Sequence, residues 1–281
     1  LTNMAGVVIK GLDHVQVSAN WMAASGDPKQ DFALRNGVEA LSKISVDLDV
    51  SIPVGKDSLS MKTKWNEEKN EYEVTSPLSG IISAMAPVED ISHSVTPELN
   101  VDEDSVILVI KINQKNRLAG SIFSEVTESK YTETPDIDDV KLFKSLFNHI
   151  QKLIKDSKIL AMHDISDGGL VTALAEMCFT KKVGMSIQVD DIDNLNKTLF
   201  SEEIGFVIQV KSDDLDMVKS SLNTINIYVE EVATIVEESF SILCKEKEVF
   251  SESITVLEKY WRETSHAIQS IREKIIKMFD E

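Results

Sequence analysis

Apolar positions change their period several times along this chain, and each change predicts an element. From residue 7 to 20 apolar and polar residues alternate loosely (Val7, Val8, Ile9, then Val15 and Val17), which predicts strand. The following stretch, Ala19 to Pro28, ends in turn chemistry at Ser25-Gly26-Asp27-Pro28. Phe32, Leu34, Val38, Leu41, Ile44 and Leu48 then recur at helical spacing, so about 31–48 reads as an amphipathic helix. Strands are expected at 50–54, 58–65 and 71–88, with Asn66 to Asn70 as a polar hairpin loop.

The acidic stretch Pro97 to Asp104 has few large apolar residues and reads as a boundary. Beyond it, Val106 to Ile110 is a continuous apolar run, the mark of a buried strand. Leu142, Leu146, Ile150 and Ile154 predict a helix over 137–156, and Gly169 to Thr180 a second one. Strands follow at 185–189 and 205–210, a helix at 214–222, and strands at 227–236 and 239–244. This alternation predicts an α/β sandwich over 105–250, beyond a boundary near 95–104. Residues 252–277 read as one long helix with Val256, Tyr260, Ile268, Ile271 and Ile275 on one face.

Length and composition narrow the class. The 281 residues suit two domains, and 42% apolar content is ordinary for a soluble globular protein. No apolar run approaches the ~20 residues of a membrane span, and no segment reads as a signal peptide. Cys178 and Cys244 make no disulfide framework; Cys178 lies in an apolar run and reads as a buried reduced thiol, which points to the cytoplasm. A net charge of −18 argues against a nucleic-acid partner but leaves phosphorylated small molecules open, since Mg²⁺ reverses the local sign. The chain opens on Leu1, not Met, so it is expected to begin inside a longer protein or after processing. Its start, Leu1-Thr2-Asn3-Met4-Ala5, reads as the inside or end of a helix.

Two stretches carry candidate chemistry. In His163-Asp164-Ile165-Ser166-Asp167-Gly168-Gly169 an apolar strand runs through a glycine turn into a helix. That layout suits phosphate at a helix N-terminus, with Asp164 on Mg²⁺ and Ser166 on a phosphate or ribose oxygen. It equally suits a plain capped helix start with Ser166 or Asp167 as N-cap, and the pattern alone does not separate the two. Gly55-Lys56-Asp57-Ser58 lacks Walker A spacing and leans toward a turn between strands, with Lys56 and Asp57 as a surface pair. None of the five histidines stands at zinc-ligand spacing, and nothing like Gly-x-Ser-x-Gly surrounds Ser58, so zinc and nucleophilic hydrolysis are disfavoured.

Five motifs occur in order: Ser18 to Ala24, Ile52 to Thr63, Asn116 to Ser121, His163 to Leu170 and Phe200 to Gly205. In this the chain resembles the phosphoribosylformylglycinamidine synthase family, in its large, bacterial-type form, across essentially all 281 residues. Val249 to Ser253 and Tyr260 to Thr264 resemble that family's passage toward its glutaminase domain. The resemblance implies a second aminoimidazole-ribonucleotide-synthetase-like repeat: a half-barrel lacking its start over 1–102, an α/β domain over 103–250, and a connecting helix over 251–281. The fold class so implied is α+β with an α/β sandwich.

The family converts formylglycinamide ribonucleotide, ATP and glutamine-derived ammonia to formylglycinamidine ribonucleotide in purine synthesis. The resemblance implies Asn3 and Asp164 as magnesium ligands, Ser166, Asn20 and Gly55 as nucleotide contacts, and Ser58 as a substrate contact. Lys56 stands where the shorter form of the enzyme has Asn. No catalytic residue is carried over, because the family's catalytic histidine and glutaminase cysteine belong to other portions. The implied cofactors are Mg²⁺ and ATP or ADP. The implied partners are the first synthetase repeat and the glutaminase domain, or a second copy pairing through the half-barrel. Such a chain alone is expected to be inactive. The competing expectations are another ATP-dependent member of the superfamily, such as aminoimidazole ribonucleotide synthetase or selenophosphate synthetase, and a nonenzymatic scaffold that binds nucleotide for stability.

Overall fold

The computed structural model describes residues 1–67 and 70–280, with backbone only for 275–280. The N-terminal stretch is irregular. A single turn of 3₁₀ helix, Asn3–Gly6, is followed by another at Leu12–His14. Strand β1 (Gln16–Met22) begins only then. The expected strand over 7–20 is therefore displaced toward the C-terminus and runs on through Trp21 and Met22. Val7 and Ile9 make only isolated bridges, to Ser94 and Val88.

Helix α1 (Pro28–Asp47) starts three residues before its apolar period, because Asp27 caps it. The Asp27 carboxylate accepts from the amides of Lys29 and Gln30, and Pro28 has no amide to satisfy. Strand β2 (Ser51–Ser58) pairs parallel to β1, and β5 (Ser79–Met85) pairs antiparallel on its other side. Between them β3 (Lys62–Glu67) and β4 (Asn70–Thr75) form a separate hairpin. The tip of its expected loop, Glu68 and Lys69, lies outside the described residues. The long strand expected over 71–88 is interrupted at Ser76-Pro77-Leu78, where Pro77 has no amide to donate to a ladder.

The second half is built on one seven-stranded sheet, ordered β12-β11-β8-β10-β6-β9-β7. Its strands are β6 (Ser105–Lys111), β7 (Ala161–Asp164), β8 (Gly184–Val189), β9 (Gly205–Lys211), β10 (Tyr228–Val236), β11 (Ser239–Cys244) and β12 (Lys247–Ser253). The helices are α2 (Ile122–Val126), α3 (Val140–Lys155), α4 (Gly169–Phe179), α5 (Leu195–Phe200), α6 (Leu215–Asn223) and α7 (Ile254–Asp280). Neither α2, α5 nor β12 was expected; the first two are too short to show a period. Ile275, expected on the apolar face of the last helix, is among the residues whose side chains are outside the description.

Side-chain alternation sorts the sheet into two covered faces. Leu108, Ile110, Phe206 and Ile208 pack with α3, α6 and the N-terminal segment. Ile107, Val109, Val207 and Ile187 pack with α4 and Leu199. A sheet buried on both faces needs apolar residues at every position, which is why Val106 to Ile110 reads as a continuous run. Cys178 and Cys244 are buried free thiols, and burial pushes the Cys178 thiol up to about 12. Among the described residues no helix is long and apolar enough to cross a membrane.

The first half is much less covered. Only Ser45 of α1 is buried, while Phe32 and Val46 are 68% and 74% exposed on a helix expected to face a core. Val54 on β2 and Ile81 and Met85 on β5 are also open.

Candidate functional site

Asp164 closes β7, an edge strand of the large sheet, and is itself buried. The strand then turns through Ile165 to Gly168 into α4. Gly168 and Gly169 both adopt positive φ, 84° and 74°, conformations that cost other residues energy. A β-carbon on Gly169 would lie 2.6 Å from the carbonyl carbon of Phe200, so the turn presses backbone to backbone on the last turn of α5. The N-cap position is Gly168, not Ser166 or Asp167, whose side chains are exposed.

The N-terminal residues reach the same place. The Thr2 hydroxyl donates to Asp164 Oδ2 at 2.9 Å, across 162 residues of chain. Asn3 follows, exposed, in the first 3₁₀ turn. Four oxygen-bearing side chains (Thr2, Asn3, Asp164 and Ser166) thus belong to two segments joined at Asp164. Hard oxygen donors of this kind suit Mg²⁺, which takes one or two protein ligands and keeps its waters. Among the described residues no three His, Cys, Asp or Glu side chains gather as a metal cluster.

His163 sets the charge around it. Its Nδ1 lies 2.7 Å from the Asp164 carbonyl oxygen, and its Nε2 lies 2.8 Å from Glu176 on α4. Burial alone would depress the imidazole, but Asp164 and Glu176 outweigh it and raise His163 to about 10. Burial likewise works to raise Asp164, yet His163 and Thr2 hold it below its ordinary range. Glu176 is held low mainly by His163, and it also accepts the Trp261 indole N–H from α7 at 2.7 Å. His163 therefore serves as a cation that keeps both carboxylates ionised. His149, by contrast, contacts Ser221 at 3.0 Å and is lowered by burial, as a packing histidine would be.

The glycine turn does not present a vacant phosphate cradle. Glu202 Oε1 accepts the Gly168 amide at 2.9 Å, and the Gly169 amide donates to the Ser166 carbonyl at 2.9 Å. Beside it, Glu203 is fully buried and accepts from Arg117 Nε at 2.6 Å and Nη2 at 2.8 Å. Both glutamates lie within the Phe200 to Gly205 motif, and their acidic pairing beside an apolar strand is the one sequence signal of these roles.

The other expected contacts lie on the β1–β2 pair. Ala19 is in register with Gly55, Asn20 with Lys56 and Met22 with Ser58. Gly55 and Lys56 line a groove of about 710 Å³ against Val38 and Leu41 of α1. The Lys56 ammonium bonds the Ser58 hydroxyl rather than Asp57. Asn20 Oδ1 is buried without a hydrogen-bond partner, an acceptor that some further donor would satisfy. Among the described residues no hydrogen bond links this pair of strands to Asp164 or Ser166.

Known proteins match this arrangement. The description "AIR synthase related protein, C-terminal domain" fits residues 102–245, more than half of the chain, so the chain belongs to that family. The description "FGAR-AT PurM_N-like domain" fits residues 1–87. Among solved structures, T. maritima PurL complexed with ATP is similar at TM-score 0.65 and 12% identity, over 91% of this chain and 39% of that one. T. maritima PurL complexed with FGAR is similar at TM-score 0.67 and 11% identity, over 90% and 40%. E. coli HypE, a hydrogenase maturation protein, is similar at TM-score 0.58 and 13% identity, over 90% and 78%. The fold is thus the mixed α+β, AIR-synthase-like one, and the chain spans about two fifths of the PurL chains it matches.

Proposed function

We propose that this chain is the second synthetase repeat of a phosphoribosylformylglycinamidine synthase, a nucleotide-binding portion of an ATP-dependent ligase of purine synthesis. The observation that carries this reading is the Thr2–Asp164 hydrogen bond, which brings Leu1-Thr2-Asn3 to the Asp164–Ser166 loop. The two family descriptions, in that order along the chain, support it. On this reading residues 1–102 are a half-barrel and 103–250 the α/β domain, and the connection toward a glutaminase domain, expected as a helix from 251, is α7, which begins only at Ile254 because 251–253 finish strand β12. Asp164 and Asn3 hold Mg²⁺, and Ser166 contacts the nucleotide. Magnesium supplies neutralisation of phosphate charge, the main requirement of phosphoryl transfer. The protein's part is to keep Asp164 ionised through His163 and to orient it through Thr2.

Asn20 and Gly55 would meet nucleotide, and Ser58 formylglycinamide ribonucleotide, from across an interface with the first repeat. The open apolar residues Val54, Ile81 and Met85 suit such an interface, or self-pairing in the isolated chain. The chain alone is inactive on this reading and works in the cytoplasm. The test is equilibrium dialysis of Mg²⁺–ADP against the chain, with a parallel assay for ATP hydrolysis. Saturable binding without turnover is expected; no binding would overturn the reading. A second reading, another ATP-dependent member of the superfamily, draws on the likeness to HypE, which this chain covers over 78% of its length. ATP turnover by the isolated chain would favour it.

A further inference from the structure

We propose that Glu202 is a positioning residue of the Asp164–Ser166 site, an inference that rests on the nucleotide-binding reading above. A single carboxylate oxygen, Oε1, accepts two backbone amides, Gly168 at 2.9 Å and Ile122 at 2.9 Å. Those amides begin α4 and α2, so Glu202 ties two helix starts to one point on the segment between α5 and β9. That segment is itself immobilised. Glu203 next to it is fully buried on Arg117, and the backbone at Phe200 is so close to Gly169 that no β-carbon fits between them. The turn from Asp164 to Gly168 is therefore pinned at its far end by Glu202, as Thr2 pins its near end. A carboxylate suits the start of α4, where the helix dipole favours negative charge. A consequence follows for the ligand. Phosphate oxygens cannot use the Gly168 amide while Glu202 holds it, whereas the exposed Ser166 side chain is open to them.

The test compares Mg²⁺–ADP affinity by calorimetry for wild type, E202A, E202D and E202Q, with amide hydrogen exchange on the unliganded proteins. E202Q keeps an acceptor oxygen at the same reach and should bind close to wild type. E202A removes the acceptor and E202D withdraws it, and each should raise the dissociation constant about tenfold. Exchange at Gly168 and Ile122 should accelerate in the same two variants. D139A, which removes the carboxylate that caps α3 through the Leu142 amide, controls for general loss of stability and should leave affinity unchanged. If E202A does not fold, E202D decides. Wild-type affinity in E202D, or a loss in E202Q equal to that in E202D, would overturn the positioning role alone. Absence of Mg²⁺–ADP binding by wild type would overturn the nucleotide reading, and this inference with it.

Discussion

The Thr2 hydroxyl and the Asp164 carboxylate, 162 residues apart, meet at 2.9 Å, and through this contact the N-terminal segment completes the surroundings of an edge-strand carboxylate. A hydrogen bond to a charged acceptor in a partly buried place contributes about 1.5–3 kcal/mol. Thr2→Val keeps the shape and removes the donor. We expect it to lose roughly that much stability in urea titrations. The depressed Asp164 stabilises the fold above its unfolded-state range and loses that effect as pH falls through its folded value. Acid unfolding of T2V should therefore begin at a higher pH than in wild type.

Arg117 and Glu203 form a nearly dry pair, with side chains 9% and 0% exposed. Truncating one partner leaves the other charge buried, which costs about 3–5 kcal/mol. Arg117→Met, which strands the fully buried Glu203, should show that loss by chemical denaturation, and Glu203→Ala should lose less because Arg117 keeps its ion pair with Asp138. The double variant R117M/E203L should recover much of it, since an apolar pair of similar volume fits where an isolated charge does not.

His163 gives a pH signature of opposite sign to Asp164. Its folded value is raised to about 10 from an ordinary 6.5, through Asp164 and Glu176 against the pull of burial. Its contribution to stability is fully present below 6.5 and is lost as pH rises toward 10. Unfolding free energy measured across that window should fall more steeply for wild type than for His163→Gln. Parallel curves would contradict the charged state assigned to His163.

Gly169 and Gly26 both have positive φ, 74° and 92°, but only Gly169 lacks room for a β-carbon. Backbone strain is common to alanine at either position, while overpacking adds about 1–3 kcal/mol at a closed one. G169A should therefore be less stable than G26A by about that amount, read from denaturation midpoints.

Long periodic elements were legible in the sequence: α3 through Leu146 and Ile150, β6 through its unbroken apolar run, and α7 through its spacing. The N-terminal stretch was not, because Val7 and Ile9 make only isolated bridges between two 3₁₀ turns, and their apolar spacing mimics strand alternation. The apolar spacing of α1 was read correctly as a helix but not as an exposed one, since periodicity marks a face without saying what covers it. At the site, Asp164 and the glycine turn were visible as a motif. Their partners were not, because Thr2 and Glu202 reach them only through the fold. The motif's apparent phosphate cradle turned out to hold the protein's own carboxylate, a choice that no local pattern encodes.

Thermal unfolding of the chain with and without Mg²⁺ and ADP, alongside Asp164→Asn, tests the central claim most directly. At ~100 times its dissociation constant a ligand that binds only the folded state adds ~2.7 kcal/mol, a shift of several degrees for a chain of this size. The account requires that shift in wild type, dependent on both Mg²⁺ and ADP, and its loss in D164N. No shift in wild type at saturating Mg²⁺–ADP, or an equal shift in D164N, would contradict it.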